Sequence, residues 1–70
     1  MKKYVVLDWY ESLTDPDLIG FFDTTAEANE ACDKWEEETD GECDCIIYPT
    51  DNPKYKKIVA IAKRLEKEGE

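Results

Sequence analysis

The chain has 70 residues, 41% of them hydrophobic, and its 18 acidic and 9 basic residues give a net charge of −9. This length allows one domain with a single small core, and the two Trp, four Tyr and two Phe exclude a disordered composition. The negative charge opposes binding to nucleic acid or anionic lipid and favours binding to basic protein surfaces. The alternative is that the charge only keeps the protein soluble. We therefore expect residues 1–70 to form a single small acidic domain.

The first 22 residues predict two antiparallel strands. Residues 4–10 are dense in β-branched and aromatic side chains, which is typical of a central strand. Residues 12–17 combine Ser, Asp and Pro16, the residues that favour turns. Residues 18–22 form the second strand, in which Gly20 predicts a bulge or a close approach of another group to the backbone.

The next segment predicts a helix with marked ends. Thr24 and Glu27 have the spacing of a capping box, in which each side chain satisfies a backbone amide at the helix start. Gly41 supplies the left-handed residue that ends the helix. One apolar face follows the 3.6-residue period and comprises Ala28, Ala31, Cys32 and Trp35.

Residues 43–48 predict a third strand that ends at Pro49. Asp51 or Asn52 then caps a second helix with Pro53 in its first turn, where the missing N–H costs nothing. One side of this helix is apolar and the other is basic. The apolar side comprises Tyr55, Ile58, Val59, Ile61, Ala62 and Leu65, and the basic side comprises Lys56, Lys57, Lys63, Arg64 and Lys67.

The element order ββαβα predicts an α/β fold of the α+β two-layer type. A short loop makes the first two strands antiparallel neighbours, and the helical crossover returns the chain parallel to the second strand in a right-handed connection. The sheet order 2-1-3 places the most apolar strand in the centre. Because each helix has one apolar side, we expect both helices to cover the same face of the sheet.

The sequence offers little for catalysis or for cofactor binding. It has no histidine, no phosphate-binding glycine loop and no nucleophile elbow. Cys32, Cys43 and Cys45 could bind zinc with a carboxylate, but Cys-x-Cys is not the spacing of a zinc knuckle, and buried thiols are common core residues. The acidic loop 39–44 does not fit the calcium loop of an EF-hand, because a loop that starts at Asp40 has Cys45 in place of the Gly at position 6 and Asp51 in place of the Glu at position 12. We expect a non-enzymatic protein with reduced cysteines, no metal and no cofactor.

The apolar runs are far shorter than the ~20 residues of a membrane span, and no 7–15-residue apolar stretch indicates a signal peptide. An odd number of cysteines is also unusual for a small secreted domain. The expectation is a cytoplasmic protein that contacts neither membrane nor nucleic acid directly.

A protein-interaction module is the leading functional hypothesis, and two surfaces could serve it. The first is the sheet face that two helices on one side would leave open, which could also form a homodimer. Its predicted residues are Tyr4, Val6, Tyr10, Ile46 and Tyr48.

The second surface is an acidic cluster at the end of the first helix. Acidic residues are unfavourable at a helix C-terminus, and such local conflicts are common at functional sites. The alternative interpretation of this cluster is a solvated helix end whose cost Lys34 and the basic helix offset. The alternative function of the whole chain, suggested by its charge, is an acidic mimic of nucleic acid that inhibits a DNA-binding protein. The cluster comprises Glu36, Glu37, Glu38, Asp40 and Glu42.

Asp8 and Asp44 are also predicted to lie together on the open face. In the order 2-1-3 the end of the first strand lies beside the start of the third. Two carboxylates side by side are unfavourable, so one pKa should rise or a cation should bridge them.

Overall fold

The computed structural model describes residues 2–10 and 15–68. Three strands and two helices follow the predicted order, with a short 3-10 turn before the second helix. Residues 12–14 of the predicted turn lie outside the described residues. The elements are β1 (Tyr4–Asp8), β2 (Asp17–Phe22), α1 (Thr25–Glu38), β3 (Cys45–Pro49), the 3-10 turn Pro53–Tyr55 and α2 (Lys56–Glu68).

The sheet has the predicted order β2-β1-β3. β1 pairs antiparallel with both neighbours, so β2 and β3 run parallel to each other, as the helical crossover requires. Val5 stands opposite Phe21 on one side and Tyr48 on the other. The α+β class, the element order and the strand order are therefore confirmed.

Gly20 lies at an irregularity of the sheet. Val6 pairs with Gly20 but Leu7 pairs with Leu18, so one extra residue forms a bulge in β2. A Cβ on Gly20 would stand 3.1 Å from the ring of Phe22. Both predicted features, the bulge and the close approach, are present.

The N-terminal caps that the sequence predicts for the two helices are also present. The Thr24 hydroxyl accepts from the Glu27 amide at 3.2 Å, while the Glu27 carboxylate accepts from that hydroxyl rather than from the Thr24 amide. Asn52, not Asp51, caps the segment that leads into α2, and its side chain accepts from the Lys54 amide at 2.9 Å.

One face of the sheet packs against α2. Val5 and Leu7 of β1 are fully buried and form a core cluster with Val59 and Ala62 of α2. Tyr48 of β3, the cross-strand partner of Val5, belongs to the same cluster. This face therefore carries the larger part of the apolar core.

The opposite face packs against α1, so the prediction that both helices share one face is wrong. Side chains alternate along a strand, so Val6 and Asp8 point away from Val5 and Leu7. Val6 is fully buried there, and Asp8 accepts a hydrogen bond from the α1 residue Trp35. The sheet lies between the two helices as the middle of three layers.

This arrangement removes the predicted open-sheet patch. Val6 is buried on the α1 side, whereas Tyr48 is 7% exposed on the α2 side. Tyr4 is half-buried. Tyr10 and Ile46 are exposed, but the cross-strand register places Ile46 with Leu7 on the α2 side, away from Val6. The five residues do not form one surface because each face of β1 is covered by a helix.

Candidate functional site: an acidic cleft

A cleft of about 660 Å³ lies where β1 ends, β2 begins and α1 ends. These elements meet at one edge because β1 and β2 are antiparallel and α1 crosses the sheet above Asp8. We call this feature the acidic cleft. Its described lining residues are Asp8, Tyr10, Asp15, Asp17, Trp35, Glu38, Thr39, Asp40 and Glu42.

Asp8 fixes the floor of the acidic cleft. Its side chain is 6% exposed, and all three of its hydrogen bonds come from outside β1. Oδ1 accepts from the backbone amides of Tyr10 and Asp44, each at 2.9 Å. Oδ2 accepts from Nε1 of Trp35 at 2.7 Å. One carboxylate thus joins β1 to the segment before β3 and to the last turns of α1.

The predicted juxtaposition of the Asp8 and Asp44 carboxylates is wrong, because the strand register pairs Asp8 with Cys45 and not with Asp44. The Asp8 carboxylate meets the Asp44 backbone amide, not the Asp44 carboxylate. Burial alone would raise the pKa of Asp8, but the hydrogen bonds from Asp44, Trp35 and Tyr10 outweigh it and hold that pKa below its ordinary value. The expected rise is therefore wrong for Asp8, because donors surround this carboxylate.

The rim of the acidic cleft is formed by the end of α1. The Gly41 amide donates to the Glu36 carbonyl at 2.8 Å, and the Asp40 amide donates to the Glu37 carbonyl at 3.4 Å, the pattern of a Schellman motif. Asp40 has φ 55° and Gly41 has φ 80°. The prediction placed the left-handed ending at Gly41 alone, whereas Asp40 already adopts it.

The acidic cleft concentrates negative charge. Six of its nine described lining residues are acidic and none is basic, and five of the six acidic side chains are exposed. Asp17, Glu38, Asp40 and Glu42 form no ion pair with any described residue.

No ion pair among the described residues links the basic helix to the acidic end of α1. α2 lies on the opposite face of the sheet. Lys34 pairs with Glu30 at 3.8 Å within α1 and not with the helix end. The last turn of α1 contains no basic residue.

The predicted acidic cluster is divided between two concave surfaces. Glu38 and Glu42 line the acidic cleft, and Asp40 borders it as well as a shallower depression next to it. Glu36 and Glu37 lie on that depression together with Asp33. All five predicted acidic side chains are exposed.

The sequence does not predict six residues of the acidic cleft as part of this surface, namely Asp8, Tyr10, Asp15, Asp17, Trp35 and Thr39. The sequence pattern predicts Asp8 and Tyr10 on an open sheet face and Trp35 in the helix–sheet core. The available signal was the run Val5-Val6-Leu7, because a strand apolar on both sides indicates cover on both faces.

The three cysteines lie near this site without forming part of it. Cys32 of α1 faces the sheet as predicted and interacts with the Cys45 thiol. Burial, and then the neighbouring Cys43, raises the pKa of Cys45 to about 12, and burial also raises that of Cys32. All three are free thiols. A thiol whose pKa is raised by burial, as in Cys32 and Cys45, is a weak nucleophile.

Within residues 2–10 and 15–68, no group of three metal-ligating side chains converges on one point. The acidic residues of the acidic cleft come from β1, from the segment into β2, and from the end of α1 with the turn after it.

The helices among the described residues are all too short and too polar to cross a membrane. Comparison with protein-family models, with curated proteins and with solved structures finds no match.

Proposed function

We propose that this chain is a small, non-enzymatic protein-interaction domain whose acidic cleft binds a basic segment of a protein partner. The observation that carries the proposal is the composition of the cleft, where six acidic and no basic residues line one described concave surface. Clefts lined by charge of one sign attract ligands of the opposite sign and concentrate them.

The separation of charge across the sheet supports this proposal. α2 holds basic residues on the far side of the sheet, so the carboxylates of the acidic cleft have no internal counter-charge from that helix. An external cationic ligand would supply it. Repulsion among the carboxylates is then relieved on binding, which adds to the affinity for the ligand.

Two aromatic side chains favour a peptide over a simple cation. Tyr10 is 51% exposed at the acidic cleft, and Trp35 forms part of its wall. Aromatic faces stabilise the charged heads and the apolar stems of Lys and Arg. The Asp8 hydrogen bond at 2.7 Å holds the Trp35 indole in place, so this part of the wall is preorganised.

Isothermal titration with an unstructured lysine-rich peptide tests the proposal. We expect binding that weakens strongly between about 50 mM and 500 mM salt, because exposed charge pairs are screened. The double variant Glu38→Gln/Glu42→Gln should weaken binding at least about fivefold, the effect of losing two exposed charge pairs.

The matched control is Ala26→Lys/Asn29→Lys, which has the same net charge but changes exposed residues in the N-terminal half of α1. It should bind the peptide as the unchanged chain does. Equal weakening in both variants would show that net charge, not the acidic cleft, attracts the peptide. No binding at low salt would reject the proposed function.

A further inference from the structure

The outer side of α2 is a second charged surface, which we call the basic face. Its five basic residues are exposed. At 100° per residue they fall within about 120° of the helix circumference, over a length of about 16 Å. None forms an ion pair with a described residue. The basic face comprises Lys56, Lys57, Lys63, Arg64 and Lys67.

The sheet prevents the two charged surfaces from meeting within one molecule. α1 and the acidic cleft lie on the side of Val6 and Asp8, whereas α2 lies on the side of Val5 and Leu7. Each chain therefore presents an acidic concave surface and a basic convex one on opposite sides of the sheet, and no ion pair among the described residues joins the two. Charge complementarity thus exists between copies but not inside one copy.

We propose that the basic face of α2 docks into the acidic cleft of a second copy of this chain. This inference rests on the proposed function and names the partner segment. The two surfaces differ, so the contact is heterologous, and each added copy leaves one surface of each kind open. The association consequently grows head to tail and does not stop at a symmetric dimer.

The net charge of −9 opposes this contact at long range. Two such molecules repel at low ionic strength, where the Debye length reaches about 30 Å, but at about 0.15 M salt it falls to about 8 Å. Long-range repulsion is then screened while the pairs at the contact persist. Self-association should accordingly be strongest near physiological salt and be lost at about 1 M salt.

Sedimentation equilibrium of the full chain from about 10 μM to about 1 mM, the range of weak electrostatic contacts, tests the inference. The weight-average mass should rise with concentration above the monomer value of 8.1 kDa. A mass equal to the monomer at every concentration and salt would overturn it.

Paired variants then test the direction of the contact. Lys56→Gln/Lys63→Gln removes charge from the basic face, and Glu38→Gln/Glu42→Gln removes charge from the acidic cleft. Each variant alone should associate at least about fivefold more weakly than the unchanged chain. Their mixture keeps one intact surface on each partner, so it should form a one-to-one complex that grows no further.

The exposed α1 positions supply matched controls for both variants. Ala26→Glu/Asn29→Glu has the net charge of the Lys56→Gln/Lys63→Gln variant, and Ala26→Lys/Asn29→Lys has that of the other. Both should associate as the unchanged chain does. If a mixture of the two test variants stays monomeric while the unchanged chain associates, the head-to-tail contact is wrong. If lysine-rich peptide binds the acidic cleft but the chain never self-associates, this inference fails and the proposed function stands.

Discussion

Asp8 is the residue that ties the acidic cleft to the fold. A buried carboxylate is costly unless donors surround it, and here three donors from three segments do so. Two of them are backbone amides that would otherwise lack a partner at the strand end. The third, the Trp35 indole, holds α1 against the sheet. Asp8 thus sets the position of the cleft wall and is a structural rather than a ligand-binding group.

The substitution Asp8→Asn should lower the free energy of unfolding by about 2–3 kcal/mol. Asn keeps the shape but has one acceptor oxygen, so its NH₂ group must face either the Trp35 indole or the two backbone amides, all of which are donors. Urea unfolding measures the change. Asp17→Asn is the matched control because Asp17 is the exposed cross-strand neighbour of Asp8, and it should change stability by less than about 0.5 kcal/mol. An equal loss of stability in both variants would contradict the structural role of Asp8.

The contribution of Asp8 should also depend on pH in a defined direction. Its pKa in the folded protein lies below the ordinary value, so its ionisation stabilises the fold above about pH 4, the pKa of an unfolded Asp. That stability is lost as the pH falls further towards the folded pKa. The stability difference between the unchanged chain and Asp8→Asn should therefore be constant from neutral pH to about pH 5 and shrink below pH 4. A difference that grows on acidification would be incompatible with a lowered pKa.

At the scale of elements, the end of α1 combines two unfavourable features. Asp40 adopts a left-handed φ of 55°. Asp and Asn both tolerate this conformation, and Gly adopts it most easily. Its charge also lies beside the negative end of the helix dipole, and the last turn of α1 contains no basic residue. This helix end is therefore less stable than its hydrogen bonds alone would make it.

Asp40→Asn should raise stability by about 0.3–1 kcal/mol at low salt, because it removes the charge and keeps the left-handed backbone accessible. Thermal unfolding at about 50 mM and 1 M salt tests whether the removed charge causes the gain in stability. The gain should largely vanish at about 1 M salt, where the charge is screened. Asp40→Ala is the contrasting variant and should be less stable than Asp40→Asn by about 1 kcal/mol, because Ala disfavours the left-handed region. A gain that is the same at both salt concentrations would contradict the electrostatic explanation.

The elements themselves could be predicted from local chemistry, but the layer order could not. Thr24, Asn52 and Pro53 mark helix starts through hydrogen bonds and a fixed φ that depend on neighbouring residues alone. The side of the sheet on which α2 lands depends on the path after Pro49, which no local motif specifies. The fully buried run Val5-Val6-Leu7 indicates that both faces of this strand need cover, but not which helix covers which face.

Only part of the candidate site could be predicted from the sequence, because the rest depends on how the sheet and the helices assemble. Glu38, Asp40 and Glu42 follow from the acidic end of α1, a pattern visible along the chain. Asp17 and Trp35 join them only after the sheet is assembled, since they are far apart in sequence. Their position depends on the antiparallel pairing of β1 with β2 and on the face that α1 covers.

At the scale of the whole molecule, the sheet acts as a partition between opposite charges. A strongly acidic end surrounds the acidic cleft on one side, and the basic face of α2 lies on the other. Acidic and basic residues mixed on one surface would neutralise each other. Because they lie on separate surfaces here, each surface can attract a partner of the opposite charge. Binding of a basic segment in the acidic cleft depends on this separation of charge.

The most direct test of that claim is an NMR titration of the ¹⁵N-labelled chain with the lysine-rich peptide at a concentration where the chain is monomeric. The two tryptophans serve as reporters, because Trp35 lines the acidic cleft and Trp9 packs with the core on the α2 side. We predict that the Trp35 indole N–H resonance and the amides of Thr39 and Glu42 shift progressively, while the Trp9 indole stays in place. A peptide with glutamine in place of every lysine should shift none of them. Shifts that centre on Trp9 and α2, or no shift at Trp35 at saturating peptide, would contradict binding in the acidic cleft.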